Sequence, residues 1–186
     1  MNVMTTILDL PLHPLVVHAP IVLIALLILF GLLYLLVPPV RQRIGWVAAA
    51  LVLAGPASAY GAIWSGEQLA DYVSPNGWSA AIEQHQNYGW WLLWTLVALV
   101  PLWGLFAGLD RGRRAALRRN GDAPAPVATE DGEKVSSGSD DPAAAGRKVV
   151  MFVVGLIVLA LLLLAGWWLF QAGHSGSEMK WGGTVQ

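Results

Sequence analysis

Four long apolar stretches constrain the fold of this chain more than any other feature. They cover residues 15–37, 44–64, 88–109 and 148–171, and none carries Asp, Glu, Lys or Arg in its interior. About 20 helical residues cross the roughly 30 Å hydrocarbon core of a bilayer. Only 12% of the residues are charged, against about 25% in soluble domains. The sequence therefore predicts an all-α membrane protein, an antiparallel four-helix transmembrane bundle that forms one domain over residues 1–186.

Local signals between the stretches set the predicted helix boundaries. Pro38 and Pro39 end the first helix, and the segment 74–77 (Ser-Pro-Asn-Gly) predicts a turn. Polar residues of helical composition lengthen the third helix at its start. Gly173 predicts a C-cap for the fourth helix. The predicted helices are 15–37, 44–64, 79–109 and 148–172, with a basic continuation at 111–119 and a flexible cytoplasmic linker at 120–146.

The basic residues predict the orientation in the membrane. Of the 11 lysines and arginines, only Lys180 lies outside two segments, which follow the first and third helices. Because positive charge stays on the cytoplasmic side, both segments are expected there. We therefore expect a bacterial inner-membrane protein whose N- and C-termini face the periplasm or the cell exterior. Topology and contacts with the lipid bilayer account for the basic residues, so nucleic-acid binding is not expected at a net charge of −1.

All four histidines lie at the end of the bundle that this orientation places outside. They are His13, His18, His85 and His174. A histidine in a membrane helix is costly and usually marks a function, and imidazole binds haem iron, copper and zinc. A single histidine at a helix end is commonly a cap or an interface residue, but four at one end favour a shared site. The absence of cysteine excludes iron–sulfur clusters and covalently attached haem.

One b-type haem is the predicted cofactor, because a four-helix bundle can hold it between two axial histidines. His18 is the strongest candidate, since it lies deepest in a helix, and His85 or His174 is its expected partner. His13 is expected near the haem propionates. The alternative is copper or zinc, bound by the four histidines with Glu83 or Glu178. Without histidines at the opposite end, electrons would be exchanged at the outer face or with quinone in the membrane.

Two short motifs carry a resemblance to a known family. His13-Pro-Leu-Val-Val-His18-Ala-Pro20 and Gly173-His174-Ser-Gly176 resemble the motifs of an uncharacterised bacterial family of four-helix membrane proteins. Its members begin with His-Pro-x-x-Val-His-Phe-Pro and close with Gly-His-x-Gly. Here Ala19 replaces the usual Phe, and the linker looks like an insertion. The resemblance spans nearly the whole chain and implies the four-helix architecture, the histidine positions and a haem or redox role.

The predicted function is b-type haem binding with electron transfer at the outer, periplasmic face. The alternative from another class is an accessory subunit of a respiratory or photosynthetic complex, in contact with other membrane redox subunits. Eight of the 10 tryptophans lie toward the outer side, which fits an interfacial aromatic belt, the walls of a flat aromatic cofactor pocket or an interface with another membrane subunit. No hydrolase or transferase motif is present. The sequence therefore leaves redox chemistry as the one enzymatic role to consider.

Overall fold

The computed structural model describes residues 6–7, 10–121 and 142–182. Within them it confirms the all-α four-helix bundle. Two short strands, β1 (Thr6–Ile7) and β2 (Leu10–Pro11), pair antiparallel before the helices. The helices are α1 (Leu12–Val16), α2 (His18–Leu36), α3 (Arg41–Val73), α4 (Ala80–Gly121) and α5 (Pro142–Trp181), with a 3₁₀ turn at Pro38–Val40. Four spans are long and apolar enough to cross a membrane, as in a multi-pass membrane protein: Leu12–Leu36, Pro38–Val73, Ala80–Arg118 and Gly146–Trp181.

The four long helices form a closed ring in which each one contacts two neighbours. α2 packs on α3, α3 on α4, α4 on α5 and α5 back on α2. The core residues come from all four: Ile24, Leu27, Leu51, Val52, Leu96, Leu99, Val158 and Leu162. At the contact of α2 with α5, a Cβ on Gly31 would lie 2.9 Å from Leu162 Cδ1. A small residue there lets the two helices approach closely, as is common in membrane bundles.

The bundle has two chemically different ends. At the histidine end, α2 and α4 begin while α3 and α5 finish, so all four histidines lie there. The turn before α4 contains Gly77 in the left-handed region, with φ of 120°. Its amide donates to the Ser74 carbonyl at 3.1 Å, which matches the predicted turn. The opposite end, which we call the arginine end, carries the basic residues at the start of α3 and the far end of α4.

Two predicted helix ends at the histidine end differ from the structure. α3 continues from residue 64 to Val73, and α5 continues from residue 172 to Trp181, so Gly173 lies inside a helix and is not a C-cap. Hydropathy locates the edge of the hydrocarbon layer, whereas a helix continues for as long as its polar side chains find partners. One such contact joins the extension of α3 to α4, where Gln86 Nε2 donates to Glu67 Oε1 at 2.7 Å.

The other boundaries lie closer to the expectation. α4 begins at Ala80, and the Ser79 hydroxyl accepts from the amide of Ile82 at 3.4 Å. The predicted basic continuation is part of α4. Most of the predicted linker, 122–141, lies outside the described residues, while residues 120–121 end α4 and residues 142–146 begin α5.

A buried ion cluster stabilises the arginine end. Asp110 is fully buried, and its carboxylate lies 2.9 Å from Arg41 Nη1 and 2.7 Å from Arg114 Nη2. The same Arg41 donates to the carbonyls of Tyr34 at 2.6 Å and Leu35 at 2.7 Å. These carbonyls lack intrahelical partners because they lie in the last turn of α2. Arg41 therefore joins α2, α3 and α4, a role beyond the topology signal expected from the sequence.

Candidate histidine site

His13 and His85 are brought together at the histidine end. Their ring centroids lie 6.4 Å apart, and the ring planes are nearly perpendicular at 87°. His13 belongs to the short helix α1, which packs on α3, and His85 lies near the start of α4. Both side chains are partly buried. The pair therefore lies where α1, α3, α4 and α5 meet.

The end of α3 holds His13 through three residues that we call the His13 cradle: Ala62, Ser65 and Gly66. His13 Nδ1 lies 3.0 Å from the Ala62 carbonyl oxygen and 3.1 Å from Ser65 Oγ. Because a carbonyl only accepts, Nδ1 carries the hydrogen and Nε2 keeps a free lone pair. A Cβ on Gly66 would lie 3.1 Å from His13 Cε1. Glycine at this position lets the ring lie against the helix.

The end of α5 holds His85 in the same way, through Ala172, Ser175 and Gly176, the His85 cradle. His85 Nδ1 lies 2.9 Å from Ser175 Oγ. The Ser175 hydroxyl donates its hydrogen to the Ala172 carbonyl at 3.2 Å, so its oxygen accepts from Nδ1–H. A Cβ on Gly176 would lie 3.2 Å from His85 Cε1. His85 therefore has the same tautomer as His13, with Nε2 unprotonated.

The two cradles share one sequence pattern, which the sequence analysis missed. Residues 62–66 and residues 172–176 both read Ala-x-x-Ser-Gly. One pattern lies on α3 and contacts His13 of α1, which precedes α2. The other lies on α5 and contacts His85 near the start of α4. A motif with two variable positions is too short to stand out alone. Comparing the ends of the second and fourth apolar stretches would have revealed it.

His18 and His174 lie apart from the pair. His18 is exposed in the first turn of α2. His174 is also exposed, with Nε2 3.3 Å from Glu178 Oε1 and its ring stacked on Phe170 at 5.7 Å. In the part of the chain that the structure describes, the only ring contact between two histidines is that of His13 with His85. The structure thus pairs His85 with His13 rather than with His18, the partner predicted from the sequence.

The separation of the paired rings can be compared with that of two imidazoles bound to one metal ion. Metal–imidazole bonds are about 2.0–2.1 Å, so two rings on opposite sides of one ion have centroids about 6 Å apart. The observed separation is 6.4 Å. Ligating histidines almost always donate their other N–H to a protein oxygen or water, as both rings do here. Among the described residues, no group of three or more His, Cys, Asp or Glu side chains could hold a metal ion, so the zinc alternative, which needs about four ligands, gains no support.

Comparison with known proteins adds no assignment to this geometry. No family model, no curated protein and no solved structure matches the chain.

Proposed function

We propose that the chain is an integral membrane protein that binds one b-type haem between His13 and His85 and transfers electrons at its histidine end. The observation that carries the proposal is the paired rings, 6.4 Å apart, each with Nδ1 bonded to a serine–carbonyl cradle. A bound haem would supply one-electron chemistry. His13 and His85 would hold the iron, and two histidine ligands would favour electron transfer over oxygen activation.

The protein's own residues provide orientation and exclusion of water. The cradles fix the hydrogen of each ring on Nδ1, which leaves each Nε2 able to bind iron. Apolar helices surround the pair on the side of the core and limit the access of water. Apolar surroundings of this kind tune the redox potential of a bound metal. The positive-inside rule supports a location in the bacterial inner membrane with the histidine end outside.

Absorption spectra of the protein purified from haem-replete cells test this function. The oxidised and dithionite-reduced forms should show a low-spin b-type haem, at one haem per chain. His13→Ala and His85→Ala should lose it, because each removes an axial ligand. His18→Ala and His174→Ala are matched controls that should keep the spectrum, since both side chains are exposed.

Two results would contradict the proposal. A colourless wild-type protein excludes haem, and stoichiometric copper or zinc by elemental analysis would then indicate a metal site. Loss of haem in His18→Ala together with retention in His13→Ala would reject the ligand pair.

A further inference from the structure

An apolar groove runs between α2 and α5 at the histidine end. We call it the α2–α5 groove; its volume is about 550 Å³, within the roughly 300–1,000 Å³ of small-molecule sites. Ile21 and Ile28 line it from α2, and Gly166, Leu169 and Gly173 line it from α5. It is open along the side of the bundle, where Ile21 is 46% exposed. A ligand dissolved in a membrane could therefore enter it sideways.

The groove is apolar along its length and polar at one end. His174 and Ser177 lie at that end. His174 Nε2 is 3.3 Å from the Glu178 carboxylate, and a carboxylate favours the hydrogen on the nitrogen that faces it. In the neutral ring, Nδ1 is then a hydrogen-bond acceptor. An acceptor at the end of an apolar groove suits a hydroxyl group on an apolar ring.

The polar end of the groove lies next to the His85 cradle in sequence and on the helix surface. His174 and Ser175 are consecutive, so they point about 100° apart on a helix with 3.6 residues per turn. Ser175 contacts His85, while His174 lines the groove. A ligand bound to His174 would therefore be one residue along α5 from the histidine pair.

We infer that the α2–α5 groove binds a lipid-soluble quinol, whose hydroxyl donates to His174 Nδ1 and whose apolar tail lies along Ile21, Ile28 and Leu169. The choice of a quinol rests on the proposed redox function, because quinols are the electron carriers that dissolve in a bilayer. Phosphatidylcholine would fill the apolar part of the groove with an acyl chain but has no hydrogen-bond donor for the ring. A hydrogen bond to His174 therefore distinguishes a bound quinol from a bound lipid.

Two variants and one matched control test the groove. Gly173→Leu should fill it, and a Cβ at Gly173 meets nothing within 4 Å, so the helices need not move. His174→Leu removes the acceptor. Gly108→Leu makes the same change on α4 in a separate groove near Arg147, also with open space around the Cβ. Comparing Gly173→Leu with Gly108→Leu separates blocking of the groove from the general effect of an added leucine.

Binding of decylubiquinol, a short-tailed quinol kept reduced under argon, is measured by calorimetry with the protein in phosphatidylcholine nanodiscs. We expect saturable binding of one quinol per chain to the wild type and to Gly108→Leu. His174→Leu should weaken it about tenfold, as loss of one hydrogen bond predicts, and Gly173→Leu should weaken it at least as much. No saturable binding to the wild type, or unchanged affinity in both groove variants, overturns the inference.

The haem spectrum of the same samples keeps the two proposals apart. Haem without quinol binding contradicts the groove and leaves the histidine pair intact. Colourless protein that still binds quinol through His174 contradicts the haem site alone.

Discussion

At the scale of single residues, two serine hydroxyls contact Nδ1 of the paired histidines, so the hydrogen lies on Nδ1 and Nε2 carries the lone pair. Ser65 and Ser175 each donate to the carbonyl three residues earlier, at 3.0 and 3.2 Å. Their oxygens are then available only as acceptors, so they accept from Nδ1–H of the histidine. Ser58 makes the same intrahelical bond to the Gly55 carbonyl, at 2.8 Å, in the middle of α3. It is a natural control for the other two.

Ser175→Ala should weaken haem binding by about 10–100-fold, the usual effect of losing a partner of a ligating histidine. Ser65→Ala should weaken it less, because the Ala62 carbonyl still accepts from His13 Nδ1 at 3.0 Å. Each should also raise the midpoint potential, because a less basic imidazole stabilises ferric iron less. Haem titration of the apoprotein and spectroelectrochemistry measure the two effects. Ser58→Ala should change neither. Equal effects in all three variants would mean that the helices, and not the rings, depend on these hydroxyls.

At the scale of helices, the serine and the glycine of both cradles lie on turns that extend beyond the apolar stretches. α3 has 33 residues and α5 has 40, while about 20 suffice to cross a bilayer. Ser65 follows the predicted end at residue 64, and Ser175 follows the predicted end at residue 172. The helix extensions therefore carry the groups that hold the histidines, and hydropathy alone placed those groups in loops.

The Arg41–Asp110 contact is the element-scale feature with the largest expected effect on stability. Removing one partner of a buried ion pair leaves an uncompensated charge and costs about 3–5 kcal/mol. Arg41 is 7% exposed and Asp110 is 0% exposed. Because Arg41 also bonds two carbonyls at the end of α2, loss of its carboxylate partner should loosen the contact of three helices.

Asp110→Asn should therefore lower the free energy of unfolding by about 3–5 kcal/mol. Thermal unfolding in detergent, followed by circular dichroism, measures the change as a lower melting temperature. Asp71→Asn is the control, since Asp71 accepts an exposed hydrogen bond from Trp78 Nε1 at 2.9 Å, and such bonds contribute about 1 kcal/mol. Similar melting temperatures for the two variants would show that the ion cluster adds little stability.

At the scale of the whole molecule, the bundle consists of two helical hairpins, α2–α3 and α4–α5, with the same histidine contact at one end. In each, a histidine close to the start of the hairpin contacts an Ala-x-x-Ser-Gly segment near the end of its second helix. His13 meets residues 62–66, and His85 meets residues 172–176. Both rings therefore lie at the same end, which the predicted topology places outside the cell membrane.

Single-cysteine labelling tests this topology, and the chain has no cysteine of its own. Ser74→Cys lies between α3 and α4 at the histidine end and should react with a membrane-impermeant maleimide on intact cells. Ser137→Cys, in the segment that follows the third apolar stretch, should react only after the membrane is permeabilised. The cysteine-free parent measures background. The reverse labelling pattern would place the histidine end in the cytoplasm.

The number of helices and the grouping of all four histidines at one end followed from the sequence by itself. The helix count depends on the length and hydropathy of each apolar stretch compared with the thickness of a bilayer. The grouping of the histidines depends on their positions relative to the ends of those stretches. The turn from Ser74 to Gly77 was also predicted correctly, because a turn depends on the local sequence. His18 was predicted as a haem ligand because it lies deepest in a helix, and its position along the helix can be read from the sequence.

Only the tertiary structure decided which histidines pair and what holds them. His13 contacts Ala62 across 49 positions of the chain, and His85 contacts Ser175 across 90. Such contacts depend on how each helix is rotated about its axis. In helices that are apolar on every side, as membrane spans are, the hydrophobic pattern does not specify that rotation. Close packing between the helices does, and it exposes His18 while burying Asp110 among arginines.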